Sequence, residues 1–173
     1  MSVPKSQRSP SSYEAVHVPE VMYDKVIKVC AKMPKRYTYL LLKDTVEIAG
    51  RIVDHVAAAN SIFPTNQHEA QMRRDYWIRA RALNQALSRR INRFINAEGS
   101  LTYVDENGKK KGVTKNELKE IMDMIIREQA LITGTIKSEA NKYKNLPGED
   151  VDSMLKGYLL KALYGMLNDG YGL

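Results

Sequence analysis

Residues 66–97 have the sequence NQHEAQMRRDYWIRARALNQALSRRINRFINA, and this stretch decides the fold. Its apolar residues recur every three or four positions, which predicts one long helix with a sustained core seam. Around that seam stand seven arginines and only two acids, Glu69 and Asp75. The helix therefore has an apolar side and a broad cationic arc. The predicted seam is Tyr76, Ala80, Leu83, Leu87, Ile91 and Phe94.

Two further helices are predicted upstream. The first begins at Pro19, a residue suited to the first helical turn, and ends before Met33 and Pro34. The second runs from about Arg36 to Asn60 and has two adjacent apolar stripes, so it needs neighbours on two sides. One stripe is Leu41, Thr45, Ile48, Ile52, Val56 and Ala59, and the other is Leu42, Val46, Ala49, Val53 and Ala57.

Downstream, residues 99–113 alternate in polarity around Asn107 and Gly108, the strongest short signal for a β-hairpin. Thr114 and Glu117 form a capping box that opens a fourth helix, ending at about Lys144. An amphipathic fifth helix is predicted at 152–168. The apolar face of the fourth helix, with a break at Gln129, is Leu118, Ile121, Met122, Ile125, Ile132 and Ile136.

These elements predict an all-α fold: an up-down four-helix bundle with a small inserted β-hairpin and an extra C-terminal helix. The hydrophobic share of 43% over 173 residues is enough for a core. Three parts are expected. They are a mobile N-terminal tail at 1–17, the bundle at 18–145 with the hairpin at 99–113, and the C-terminal amphipathic helix and tail at 146–173.

Composition narrows the function classes. Lys and Arg outnumber Asp and Glu by 27 to 20, a net charge of +7, which favours a polyanionic partner. A single cysteine excludes a disulfide framework and a Cys-based zinc site within one chain. No apolar run approaches the roughly 18 residues of a membrane span, and the N-terminus lacks the apolar core of a signal peptide. We expect a cytoplasmic protein without a membrane partner.

Catalysis has little support in the sequence. His17, His55 and His68 have no His, Cys or carboxylate at a ligand spacing such as i, i+4, and no glycine-rich phosphate loop is present. Cys30 lies in an apolar pattern and is predicted to be a buried small hydrophobe. The acids are expected to pair with cations on helix surfaces, as in clusters of Glu117 with Lys119 and Glu128 with Arg127. We expect a non-enzymatic protein with no cofactor and no metal.

The arginine arc favours nucleic-acid binding. Neighbouring like charges destabilise a helix by a few tenths of a kcal/mol each, and a polyanion would neutralise them. Arginine also suits bidentate phosphate contacts. The alternative is a protein-interaction scaffold whose basic face grips an acidic partner. Tyr39, Trp77 and Tyr103 are each expected to be packing residues. The predicted nucleic-acid-binding residues are Arg36, Arg74, Arg79, Arg81, Arg89, Arg90, Arg93, Lys109, Lys110 and Lys111.

The order of motifs resembles a known family. The run KMPKRY at 32–37, an Ala/Ile-rich second helix, the arginine-rich third helix and the fourth-helix segment LITGTIKS at 131–138 are the residues concerned. They resemble the Avd-like four-helix-bundle proteins, the accessory variability determinants of diversity-generating retroelements. The chain is also similar, more distantly, to the four-helix-bundle proteins encoded in intervening sequences of bacterial 23S ribosomal RNA genes. The resemblance covers about residues 20–140.

The resemblance implies a specific biology. Avd-like proteins are not enzymes; they form pentamers with a basic surface, bind nucleic acid and associate with the reverse transcriptase of the retroelement. The expected partners are therefore RNA or DNA, a reverse transcriptase and further copies of this chain. The family usually ends its last helix in a Gly-Gly-Trp-like segment, where this chain has Thr133, Gly134 and Thr135.

Overall fold

The computed structural model describes residues 12–37, 41–97, 99 and 101–148, which form four helices and one pair of strands. In chain order these are α1 (Ser12–Lys32), α2 (Lys43–Ser61), α3 (Gln67–Asn96), β1 (Thr102–Val104), β2 (Lys110–Gly112) and α4 (Lys115–Lys142), with a 3-10 turn at Lys35–Tyr37. α1 packs on α2 and α4, and α3 packs on the same two helices. This packing is compatible with a bundle. The predicted fifth helix at 152–168 lies outside the described residues.

α3 is the predicted long helix, and its core side is rotated slightly from the predicted seam. Tyr76 and Leu83 are only partly buried and lie at the edge of the core, whereas Trp77 and Asn84 are completely buried. The rotation follows from packing on two neighbours, α2 and α4, which the spacing of apolar residues does not locate. The buried residues of α3 are Arg73, Trp77, Ala80, Asn84, Leu87, Ile91 and Phe94.

α1 begins earlier than predicted. Part of the expected tail at 1–17 is helical, because α1 starts at Ser12, and Pro19 lies inside the helix rather than in its first turn. Ala15 and Val18 are buried and continue the apolar stripe of Met22 toward the N-terminus. Proline removes one helical hydrogen bond. Burial of this added turn in the core offsets that cost, so the helix continues through Pro19.

The second helix begins later than predicted. Instead of a helix from Arg36, the backbone N–H of Tyr37 donates to the carbonyl of Pro34 at 3.0 Å and closes the 3-10 turn. α2 starts at Lys43 and ends at Ser61. The buried side of this segment contains residues from both predicted stripes. The boundary between the two stripes therefore faces the core. The buried residues are Leu42, Thr45, Ala49, Ile52, Val56 and Ala59.

The inserted hairpin is confirmed. β1 and β2 are antiparallel, with Tyr103 opposite Lys111. Gly108 has φ +74° in the turn, as the Asn-Gly signal predicts. Buried Leu101 and Val113 anchor the two ends of the hairpin to the core. The three lysines do not all lie at the tip, because Lys110 and Lys111 belong to β2.

The capping box is also confirmed. The Thr114 hydroxyl accepts from the Glu117 backbone N–H at 3.3 Å, and the Glu117 carboxylate accepts from the Thr114 N–H at 3.0 Å. These two bonds satisfy N–H groups that an α-helix leaves free in its first turn. They fix the position at which the chain leaves the hairpin and enters α4.

Gly112 is the position where the hairpin cannot accept a side chain. It has φ +124°, and an added Cβ would lie 2.3 Å from the carbonyl oxygen of Leu101. We expect Gly112→Ala to lower the free energy of unfolding by about 2 kcal/mol or more. Gly108→Ala is the control, because its Cβ would meet open space, and it should cost only about 1 kcal/mol. Urea unfolding measures both, and equal losses would contradict this account of Gly112.

Candidate nucleic-acid interface

The six arginines of α3 that are predicted to bind nucleic acid fall into two groups by exposure. Four of these six are exposed, namely Arg74, Arg79, Arg89 and Arg93. Arg81 and Arg90 are partly buried. Arg90 lies 3.5 Å from the Asp44 carboxylate at the start of α2, a surface ion pair of small energy.

Arg73, next to Arg74, has a structural role. It is only 6% exposed, and its Nε and Nη2 lie 2.7 and 2.6 Å from the Glu139 carboxylate of α4. Its Nη1 also donates to the carbonyl of Ile62 at 2.6 Å. All three contacts hold the α2–α3 connection and α4 against α3. The Arg73 guanidinium is therefore paired inside the protein, and in this respect Arg73 differs from the exposed arginines.

The exposed arginines are not evenly distributed along α3. Arg89 and Arg93 lie in the last two turns, immediately before the hairpin. Arg74 lies fifteen residues before Arg89, about 22 Å along the helix axis. Arg79 stacks on Tyr76, with its guanidinium carbon 5.7 Å from the ring centroid. Two of the four exposed arginines of α3, Arg89 and Arg93, therefore lie near its C-terminal end, four positions apart on one face.

The hairpin adds positive charge, but one of its lysines is paired. Asp105 accepts from the Nζ of Lys111 at 2.9 Å and from the backbone N–H groups of Lys109 and Asn107 at 2.8 and 3.0 Å. The Lys111 ammonium, followed by the N–H groups, lowers the pKa of Asp105. Asp105 therefore stays ionised and holds the turn in shape. Lys109 is exposed, and the side chain of Lys110 lies outside the described atoms.

Arg36 is exposed in the 3-10 turn, 5.0 Å from the centroid of the Tyr37 ring. It follows α1, whose last residue, Lys32, pairs with Glu117 in the first turn of α4. That contact places the turn toward the part of α4 that follows the hairpin.

Two predicted pairings are wrong. Glu117 pairs with Lys32 rather than Lys119, and Arg127 pairs with Glu14 of α1 rather than with Glu128. Residues one or two positions apart do not face each other on a helix. Ion pairs between helices depend on the packing, which the sequence alone does not give.

For Glu128 the prediction of a surface ion pair differs most from the structure. Its side chain is completely buried, and neither oxygen has a hydrogen-bond partner among the described residues. Burial, with a smaller contribution from the nearby Glu14, raises the pKa of Glu128 to about 8. One signal was present: Glu128 continues the spacing of Leu118, Ile121 and Ile125, which is that of a core position.

Buried Glu128 makes stability depend on pH. The folded protein holds this proton up to about pH 8, whereas the unfolded chain releases it near the ordinary value of 4.5. Stability should therefore be unaffected by Glu128 below about pH 4.5 and should fall as pH rises toward 8. We expect Glu128→Gln to be within about 1 kcal/mol of the parent at pH 5 and to exceed it by about 4 kcal/mol at pH 9, because each unit of pKa difference is worth about 1.4 kcal/mol. Urea titrations measure this, and a constant difference across the pH range would contradict it.

Other chemistry-bearing residues have packing roles. Cys30 is buried, as predicted, and burial raises the pKa of its thiol to about 11. The His55 ring lies 5.9 Å from the Tyr76 ring, and burial followed by Arg51 and Arg79 lowers its pKa. Trp77 is fully buried, as predicted, whereas Tyr103 is exposed. Tyr39 lies outside the described residues.

No group of three or more His, Cys, Asp or Glu side chains within the described ranges is placed to hold a metal ion. None of the described helices combines the length and apolar character needed to cross a membrane.

Comparisons of the chain with protein-family models, with curated protein sequences and with solved structures found no match. The similarity to Avd-like proteins therefore stays a proposal, supported by the motifs quoted above.

Proposed function

We propose that this protein binds nucleic acid without catalysing a reaction, as an Avd-like accessory to the reverse transcriptase of a diversity-generating retroelement. The observation that supports binding most strongly is the set of exposed arginines on α3. Within the described part of the chain, no carboxylate pairs with Arg74, Arg89 or Arg93. Arg89 and Arg93 lie four positions apart on one helix and repel each other, and a phosphate bound between them relieves that repulsion.

The fold we propose is an up-down bundle, the arrangement expected of the family. The ion pairs between α1 and α4 support it. Glu14 pairs with Arg127, Lys25 with Glu120 and Lys32 with Glu117, so residue numbers rise along one helix as they fall along the other. The buried pair of Arg73 with Glu139 and the contact of Asn84 with Ile125 follow the same order between α3 and α4.

Reverse-transcriptase association is proposed from the resemblance alone, and a cytoplasmic location is proposed from the sequence pattern. A basic, non-enzymatic surface fits that role, because template RNA and its cDNA are both polyanions. Arginine contacts to phosphates are independent of sequence, so such a protein accepts any template. The competing role is a scaffold that binds an acidic protein through the same arginines. A binding experiment distinguishes this role from nucleic-acid binding.

The first test of the proposal concerns salt-dependent binding. Replacing Arg89, Arg90 and Arg93 together with Gln should weaken RNA or DNA binding at least roughly tenfold and reduce the salt slope by about 2–3, because fewer counterions are released. Fluorescence anisotropy with a labelled oligonucleotide from about 50 to about 300 mM salt measures both quantities.

A matched control changes the net charge equally at another surface. Lys28, Lys119 and Lys137 are exposed on α1 and α4, and their triple change to Gln should leave the affinity within about twofold. Equal affinity in the arginine variant and the parent, with the helical content intact, would overturn the proposed interface. Binding of polyglutamate in preference to nucleic acid would favour the scaffold.

We also propose a homo-oligomer, pentameric as in the family. An apolar groove of about 540 Å³ between α1 and α2 supports this proposal. Ile27 at its edge is 40% exposed, and Val46 of the second predicted stripe lines it. Leu41 nearby is also exposed. Apolar surface in a continuous groove favours burial against another copy.

Sedimentation equilibrium at low micromolar concentration tests the assembly. The parent should sediment as an oligomer, and Ile27→Asp should reduce its mass because a charge would be buried in the interface. Ile126→Asp is the control: Ile126 is 62% exposed on α4, away from the groove, and its change should leave the mass unaltered. A monomeric parent would contradict the proposed oligomer.

A further inference from the structure

A pocket of about 390 Å³ lies between α3 and α4, beside the exposed Arg89. This volume is within the range of about 300–1,000 Å³ that small-molecule sites occupy. Ile125 and Ile126 of α4 give the pocket apolar surface, whereas Gln85 and Arg89 of α3 add polar groups. Ile126 is 62% exposed, so its side chain can contact a ligand without a change in the core. The pocket therefore offers apolar area and a cation side by side.

The amide of Asn84 lies at the bottom of this pocket, because Asn84 lines the pocket and is completely buried. Its Nδ2 donates to the carbonyl of Ile125 at 2.9 Å and to Oε1 of Gln129 at 3.2 Å. Its Oδ1 has no hydrogen-bond partner among the described residues. Buried acceptors nearly always have a partner, and the missing one here is an N–H or O–H donor. The bottom of the pocket is therefore suited to a ligand that donates a hydrogen bond.

Arg89 belongs to a row of side chains on one face of α3. Gln85, Arg89 and Arg93 follow each other at intervals of four residues, about 6 Å along the helix axis. Both arginines are exposed, and within the described part of the chain no carboxylate pairs with either. The row extends from the pocket toward the C-terminal end of α3. An anion bound by these arginines therefore lies next to the pocket.

We propose that the pocket receives one base of a single-stranded nucleic acid, while Arg89 and Arg93 contact the neighbouring phosphates. This inference rests on the proposed function and adds to it the form of the strand that is bound. The flat face of a base contacts Ile126, and an N–H group on its edge donates to Oδ1 of Asn84 once the partly buried Gln129 side chain turns aside. Bases in a duplex are stacked and paired, so they present neither their faces nor those N–H groups. The pocket is therefore specific for unpaired bases.

An acidic peptide suits the same residues less well. Its carboxylates can pair with Arg89 and Arg93, but an ionised carboxylate only accepts hydrogen bonds and leaves Oδ1 of Asn84 without a donor. A peptide must supply the anion, the apolar group and the donor from separate residues, whereas a single nucleotide carries all three.

Abasic strands separate the base contact from the phosphate contacts. One labelled strand has about 12 thymidines, and the other has the same backbone and length without bases. The parent should bind the thymidine strand at least roughly fivefold more tightly, because contact with a base adds to the phosphate contacts. Ile126→Ala removes apolar surface from the pocket and should lower this ratio to below about two. Fluorescence anisotropy measures the four affinities.

Two control variants complete the experiment. Met72→Ala also shortens an exposed apolar side chain, but Met72 does not line the pocket, so the ratio should match that of the parent. Arg89→Gln removes a phosphate contact that both strands make, so it should weaken both affinities by a similar factor and keep the ratio. Circular dichroism of each variant verifies that the helical content is unchanged.

The outcomes distinguish the base pocket from the proposed function. If the parent binds both strands equally, or if Ile126→Ala keeps the parent's ratio, the pocket does not hold a base, and the arginine interface stands. A ratio that Met72→Ala lowers as much as Ile126→Ala also overturns the pocket. If the parent binds neither strand, the proposed function and the base pocket both fail. A ratio that is lost in Ile126→Ala and kept in both controls supports the pocket.

Discussion

The rest of the structure depends on how α3 packs. One side of this helix is buried against α2 and α4, and the other side exposes arginines. Its buried seam fixes the rotation of the helix about its axis, and that rotation decides which guanidinium groups reach solvent. Arg73 lies in the seam, where Glu139 and the Ile62 carbonyl neutralise and solvate it. Breaking such a pair leaves a buried charge, which costs about 3–5 kcal/mol. The adjacent Arg74 is exposed, so a single position separates a structural arginine from one that faces solvent.

The core accepts polar groups at an energetic cost. Asn84 donates to the Ile125 carbonyl and to Gln129, and its Oδ1 has no partner among the described residues. Glu128 has no partner for either oxygen within the same part of the chain. Buried polar groups without partners cost about 1–3 kcal/mol each. Together they make the interior around α4 less stable than an apolar core of equal size. Glu128 also makes this stability sensitive to pH.

The surface combines positive charge and apolar area in different places. Arginines lie on the exposed arc of α3, whereas apolar side chains line a groove between α1 and α2. Charge attracts a polyanion over distances up to about 10 Å at moderate salt, and apolar grooves act only on contact. The two kinds of surface therefore differ in what they attract: the arginine arc attracts polyanions, and the groove attracts apolar surface.

The sequence by itself determined the local features. Helix periodicity, the Asn-Gly turn and the Thr114 capping box involve residues within a few positions of each other, so they form as predicted. Tertiary structure alone decided where α1 begins, because Ala15 and Val18 continue the helix only when the core buries them. It also decided that Arg127 pairs with Glu14 and that Glu128 is buried, since both depend on how helices pack. Interactions between residues far apart in the chain have no signature in local spacing.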